Sequence, residues 1–194
     1  MTNQGEKYDL IATGFAKMRD LFVTEQKYID IFAQHLKPHS RILDIGCGSG
    51  YPIASYLIKK GFEVTGIDAS KELLKIAKNK CPEMKQQYGD IRTIKINEKY
   101  DAILEWWCLF HLPKKDQLNM IARFSSWIKP GGILEFTTGD SDYEGSSSTM
   151  LDQELHYYSC DPKCYEQALE KNGFELLLRE SDQKQHLVWI AKKT

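Results

Sequence analysis

Arg41-Ile42-Leu43-Asp44-Ile45-Gly46-Cys47-Gly48-Ser49-Gly50 is the stretch that decides how this chain folds. Its first half is a short apolar run of strand character. Its second half sets glycine at alternate positions, and from Ile53 to Lys60 the pattern turns helical. Glycine allows turns that a Cβ forbids and lets the main chain approach a ligand closely. Strand, glycine turn and helix in that order open a parallel α/β sheet.

Outward from this unit the same alternation continues. A strand at Phe62 to Ile67 precedes a helix that Ser70 can cap and that runs through Lys80, and a third strand lies near Met84 to Tyr88. Tyr100 to Trp106 reads as a fourth strand. Lys114 to Ile128 reads as a helix with Leu118, Ile121, Phe124 and Ile128 inward. The turn Pro130-Gly131-Gly132 then leads to a fifth strand at Gly132 to Thr138.

Ahead of the sheet, Ile11, Phe15, Met18 and Phe22 recur at helical spacing, and Ile29, Phe32 and Leu36 repeat the pattern until Pro38. Two opening helices follow from that. Gly139 to Met150, rich in Gly, Ser and Asp, has no periodicity and reads as a long loop, either disordered or a mobile edge of a site. Beyond it, Pro162 to Asn172 looks helical with Gly173 as its cap. Phe174 to Glu180 and Leu187 to Ala191 are strand-like runs close enough together to be antiparallel.

The 194 residues suit one domain, and 42% hydrophobic with 27% charged residues is ordinary for a folded protein. Lys plus Arg total 26 against 27 acidic residues, so no positive field draws the chain to phosphate backbones, and no nucleic-acid partner is expected. The lysines between Lys71 and Lys80 are interrupted by Leu73, Leu74, Ile76 and Ala77 and form a solvated helix face. No apolar run approaches the ~18 to 20 residues that span a bilayer, and the start MTNQGEKYD is polar, so a cytoplasmic location without membrane contact is expected. Cys47, Cys81, Cys108, Cys160 and Cys164 are odd in number and lack a framework pattern, consistent with free thiols.

A parallel sheet with helices on both faces binds ligands beyond the carboxyl ends of its strands, where strand order reverses. A glycine cluster there is a weak signal by itself. Asp68 strengthens it: about twenty residues past the turn, a carboxylate can accept from both hydroxyls of a ribose. In Tyr88-Gly89-Asp90-Ile91, Asp90 can accept from an exocyclic adenine amine while Ile91 covers the ring. Asp44, Asp68 and Asp90 each end a successive strand, and their convergence on one crevice carries the inference.

With those residues assembled, Leu43-Asp44-Ile45-Gly46-Cys47-Gly48-Ser49-Gly50 resembles the first motif of class I S-adenosylmethionine-dependent methyltransferases. Val64 to Ser70 resembles their second motif, Gly89-Asp90 their adenine segment, Tyr100 to Leu104 their fourth strand, and Ile128 to Gly132 the turn into the fifth. The resemblance spans most of residues 40–138 and is closest to small-molecule methyltransferases. It implies a Rossmann-like, doubly wound, three-layer α/β/α domain over residues 1–194, with seven mostly parallel strands and an antiparallel last one. Residues 1–38 would be a helical lid, 40–138 the cofactor-binding core, and 139–194 a loop, a helix and the closing hairpin.

By the same resemblance Gly46, Cys47, Gly48 and Gly50 line the methionine and ribose portion of S-adenosylmethionine, and Asp44 holds its amino group. Asp68 with Ala69 takes the ribose, and Asp90 with Ile91 the adenine. Tyr8 on the lid touches the cofactor, a role Arg19 shares equally with plain surface packing. Glu105 and Trp106 lie near the sulfonium, which attracts an aromatic face; Trp106 or Trp107 fills that position and the other packs in the core.

Methyl transfer requires an acceptor lone pair aligned behind the methyl carbon, and a base where the acceptor must lose a proton. His111 and His156 are the candidate catalytic residues, with Tyr157 and His186 as further polar groups near the rim. His156, Cys160 and Cys164 share a four-residue spacing, but Pro162 argues against one continuous helix, so no metal is expected. The expected partner is a small-molecule acceptor, taken by a monomer or homodimer. Two other readings stay open. One is a non-catalytic protein that keeps the cofactor pocket. The other is a nicotinamide-dependent oxidoreductase, which the spacing disfavours because Tyr51 stands where the last glycine of Gly-x-Gly-x-x-Gly should fall.

Overall fold

The structure, a computed structural model, describes residues 4–21, 25–182 and 184–194, with the main chain alone at 148 and 149. Phe22 and the polar start at residues 1–3 lie outside the described residues. Helices α1 (Gln4–Met18) and α2 (Gln26–Gln34) precede β1 (Arg41–Ile45), α3 (Ile53–Lys59), β2 (Glu63–Asp68), α4 (Lys71–Lys80) and β3 (Lys85–Tyr88). Next come β4 (Tyr100–Glu105), a short 3-10 turn at Leu109–His111, α5 (Lys114–Trp127) and β5 (Ile128–Gly139). The chain continues through β6 (Tyr143–Met150), β7 (Gln153–Ser159), α6 (Pro162–Lys171), β8 (Phe174–Ser181) and β9 (His186–Lys193).

Seven strands form one sheet in the order β3-β2-β1-β4-β5-β9-β8. The first five are mutually parallel, and β9 runs antiparallel between β5 and β8. Strand order reverses between β1 and β4, which neighbour each other although β2 and β3 intervene in sequence. The crevice for a ligand therefore opens above Ile45 and Glu105.

Because helices cover both faces, the central strands are apolar at successive positions rather than at alternate ones. Leu43, Ile45 and Ile103 pack toward Ile121 and Phe124 of α5 and Tyr165 and Leu169 of α6. Ile42, Ala102 and Leu104 face the opposite way, toward Ile29 and Phe32 of α2, Leu57 of α3 and Ala77 of α4. Each buried Leu, Ile or Phe among them, removed from water, stabilises the fold by about 1.5 to 3 kcal/mol. α1 stands apart from both layers: Ala12 and Ala16 pack on Leu73 of α4, which hangs the helix over the carboxyl ends of β1 and β2.

Two expectations are corrected. The segment 139–150 is not a loop throughout, for β6 forms an antiparallel hairpin with β7 from Tyr143↔Ser159 to Met150↔Gln153. Its serine-rich β6 lacks apolar alternation because Leu155 of β7 supplies the fully buried anchor. The helix starting at Lys114 ends at Trp127, and Ile128 opens β5 opposite Tyr100 instead of closing the helix. His156 lies in β7, Cys160 just after it and Cys164 in α6, so the three share no helix face.

Candidate active site

The glycine turn folds by handing its first amides to β2. Gly46 N and Cys47 N donate to the Ile67 carbonyl at 2.8 and 3.1 Å, and Gly48 N donates to Asp68 Oδ2 at 2.8 Å. Gly46 and Gly48 hold φ of 71° and 55°, a region L side chains enter at a cost. They are glycine for different further reasons. A Cβ on Gly46 would lie 2.5 Å from Cys108 Cβ, whereas one on Gly48 would meet only Phe15 Cε1, at 3.8 Å. The space above Gly48 belongs to a cavity of about 450 Å³.

Asp44, Asp68 and Asp90 all line that cavity. Burial, with Asp68 and Glu105 nearby, pushes the Asp44 carboxyl up to about 7. Burial also raises Asp68 to about 6, although amides of Ser70 (2.7 Å) and Gly48 oppose the shift. Neither carboxylate forms an ion pair with a cation among the described residues. Asp90 differs. Burial disfavours its charge, but Arg92 outweighs this: Nε donates to both oxygens at 3.0 Å and Nη2 to Oδ2 at 2.5 Å, holding Asp90 below the usual range. Arg92 is absent from the residues expected from sequence, where the Asp-x-Arg spacing is its only signal.

α1 forms one wall. Gly5 packs against the Ala69 main chain, where a Cβ would collide with the carbonyl. Tyr8 reaches across to His111, with Oη 2.9 Å from Nε2. His111 Nδ1 lies 2.9 Å from the His156 carbonyl. A carbonyl only accepts, so Nδ1 carries the proton and Nε2 accepts from the Tyr8 hydroxyl. Burial drives the His111 pKa down to about 4, the His156 carbonyl opposing, and burial raises that of Tyr8. This imidazole is neutral, with both nitrogens engaged.

The segment after β4 supplies the aromatic half. Trp107 sits at φ 59°, an outlying conformation for so bulky a residue. Its amide donates to Thr137 Oγ1 at 2.8 Å. Buried Glu105 clamps the same turn, accepting from Cys108 N at 2.6 Å, Leu109 N at 2.7 Å and Thr137 N at 2.9 Å. Burial raises the Glu105 pKa to about 7 against those amides. The strained turn brings Trp106, Trp107, Phe110 and His111 to the cavity, joined by His156 and Tyr157 of the hairpin and by His186.

Of the residues picked from sequence, Tyr8, Asp44, Gly46, Cys47, Gly48, Asp68, Ala69, Asp90, Ile91, Trp106, His111 and His156 share this cavity, as do Arg19 and Trp107. Gly50 and Glu105 do not line it. Gly50 lies beneath, where a Cβ would be 2.8 Å from Cys81 Cβ, and the Glu105 carboxylate is turned into the loop it holds. His156 engages His111 through its main chain, not its ring. Gln4 and Tyr158 are wall residues that the sequence reading did not reach.

The residues present fit a cationic adenosyl ligand. Buried Asp44 and half-buried Asp68 lack a protein cation, and the indole N–H groups of Trp106 and Trp107 are buried without an acceptor among the described residues. A pyrophosphate would be repelled by the same acids.

The family description "methyltransferase domain" matches residues 17–178. An uncharacterized methyltransferase of Bacillus cytotoxicus is 25% identical over 214 residues, 98% of this chain and 99% of that one. Among solved structures, the cyclase SpnF superposes with a TM-score of 0.78 at 17% identity, over 99% of this chain and 96% of that one. CalS10, an amino pentose methyltransferase of Micromonospora echinaspora with S-adenosylmethionine bound, gives 0.73 at 16% identity, over 94% and 96%. The chain belongs to the methyltransferase-domain family, as a class I S-adenosylmethionine-dependent methyltransferase, and S-adenosylmethionine is its cofactor.

Proposed function

We propose that this chain moves the methyl group of S-adenosylmethionine to a small molecule in the aromatic half of the cavity. The observation that carries this reading is the pair Asp44, buried, and Asp68, half-buried, both without a protein cation and beside the open space over Gly48. In this reading Asp68 with Ala69 holds the ribose, the turn from Gly46 to Gly48 follows the methionine portion, and Asp44 faces its amino group. Ile91 covers the adenine. Asp90 shares that edge while paired to Arg92, and Tyr8 closes the site from α1. Trp106, on the cavity wall, would offer a ring face to the sulfonium, worth about 0.5 to 2 kcal/mol, since the Trp107 ring already carries Arg19 and Lys184.

The bound cofactor supplies an activated methyl, and the protein's part is to align the acceptor and exclude water. The cavity suits a small acceptor better than a polymer, and near-zero net charge gives no pull toward nucleic acid. No helix among the described residues is long and apolar enough to cross a membrane. Five free thiols suit a reducing cytoplasm, where the chain would act as a monomer or homodimer.

The test is calorimetry with S-adenosylhomocysteine, followed by a metabolite screen for its release from S-adenosylmethionine, with His111→Ala and His156→Ala alongside. Asp68→Ala removes charged hydrogen bonds worth about 1.5 to 3 kcal/mol each, so binding should weaken by about a hundredfold or more. Unchanged affinity would refute the ribose assignment. A reading in which the chain keeps the cofactor pocket without transferring the methyl has one observation in its favour, since SpnF shares the fold and is named a cyclase. Binding without turnover of any acceptor would support it.

A further inference from the structure

Asp182 and His186 form a hydrogen-bonded pair on the acceptor side. We infer that His186 is the general base of methyl transfer, with Asp182 as its positioning residue, and that the acceptor class carries a removable proton on oxygen or nitrogen. This rests on the methyltransferase reading and extends it.

β9 begins at His186, opposite Gly139 at the end of β5, which sets the imidazole at the same sheet edge as the glycine turn. Asp182 N donates to the His186 carbonyl at 2.9 Å, and Asp182 Oδ1 accepts from Lys184 N at 2.7 Å and His186 N at 3.1 Å. The other oxygen, Oδ2, lies 2.9 Å from His186 Nδ1. The Asp182 side chain is 0% exposed and that of His186 27%.

A buried carboxylate beside Nδ1 favours the proton there, leaving Nε2 as the lone-pair nitrogen, and Nε2 has no partner among the described residues. The ring lines the cavity, stacked on Phe110 at 5.6 Å and against Trp107 at 5.5 Å. Those two neighbours carry no charge. The charged groups near them are Lys184 and Arg19, over the Trp107 ring at 5.4 and 5.0 Å, and Arg19 is paired with Glu25. Lys184 thus adds positive potential where an acceptor anion would form. His111 cannot compete for this role, because both its nitrogens are engaged.

In the step, the acceptor O–H or N–H gives its proton to His186 Nε2. Its electron pair forms the new bond to the methyl carbon, and the carbon–sulfur bond breaks with its pair going to sulfur. Asp182 balances the imidazolium until the proton passes to water. Acceptors that are already anionic, such as thiolates or halides, have no use for this pair.

The probe is 4-nitrophenol added to protein saturated with S-adenosylhomocysteine, at a pH below the phenol's own pKa, where the free probe is mostly colourless. The wild type should bind it as the yellow phenolate. His186→Asn keeps an N–H for Asp182 and loses the basic nitrogen, so the bound phenolate should fall by about tenfold or more. Nitrogen-15 spectra should show an Nδ1–H tautomer at His186, becoming mixed in Asp182→Asn. No phenolate in the wild type, an equal signal in His186→Asn, or an Nε2–H tautomer would overturn the proposal. Absent S-adenosylhomocysteine binding in the wild type would overturn the methyltransferase reading first.

Discussion

Asp9 of α1 and Ser70 at the start of α4 are joined by a hydrogen bond of 2.6 Å, the hydroxyl donating to Oδ1, and the same oxygen accepts the Glu72 amide at 3.0 Å. Ser70 Oγ accepts in turn from Leu73 N at 3.1 Å. The helix start is thus capped twice, once by Ser70 and once by Asp9 of α1. Asp68, two residues before Ser70, is held in the same corner. Asp9→Ala should cost about 0.5 to 2 kcal/mol of stability, the usual loss for a helix cap. It should also speed hydrogen exchange throughout α1. Chemical denaturation and amide exchange check both, and an unaltered exchange rate in α1 would mean that this helix is held elsewhere.

Asp44→Asn separates stability from binding through pH. A carboxyl whose folded pKa lies near 7 instead of its ordinary value near 4 binds more protons folded than unfolded. Its contribution is therefore full below the unfolded pKa and lost as pH rises through 7. Without cofactor, the Asn variant should match the wild type near pH 4 and exceed it in melting temperature near pH 8. Cofactor affinity should change the other way, with the wild type binding more tightly at pH 8. A constant difference in melting temperature across that range would contradict the assignment.

Tyr8→Phe leaves His111 Nε2 without its donor while keeping the ring contact with Phe15. A buried acceptor left unpaired costs about 1 to 3 kcal/mol. Because α1 covers the cavity, dissociation of S-adenosylhomocysteine should accelerate more than association slows. Stopped-flow fluorescence of the site tryptophans measures both rates, and equal dissociation in the two proteins would show that the Tyr8–His111 bond does not hold the site closed.

Glu105→Gln tests whether this acid serves the loop or the ligand. The change should lower stability by about 1 to 3 kcal/mol, because one oxygen must replace two acceptors. Cofactor affinity should stay within about threefold of wild type, less than one hydrogen bond is worth. A large loss of affinity with unchanged stability would return Glu105 to the ligand.

The fold was legible wherever periodicity and glycine agreed. Ile42, Leu43 and Ile45 before Gly46 give strand and turn, and the reversal at β9 was readable from two strands separated by a short polar turn. The hairpin at 143–159 was not, because Ser146 and Ser147 give no apolar alternation and pairing across the hairpin decides their conformation. Asp44 and Asp68 reached the cavity because each ends a strand, where the backbone dictates position. Glu105 also ends a strand, yet the next turn bends back and its amides claim the carboxylate. Arg92 and Asp182 were missed because their value comes from a neighbour that only the folded chain supplies.

β9 is the last element in chain order and yet lies inside the sheet, bonded on one side to β5 and on the other to β8. During refolding, β5 keeps an open edge, prone to pairing with other molecules, until that insertion is made. His186 enters with the same strand. A molecule stalled before this step lacks the wall that His186 gives the cavity, so recovery of that wall marks completed assembly.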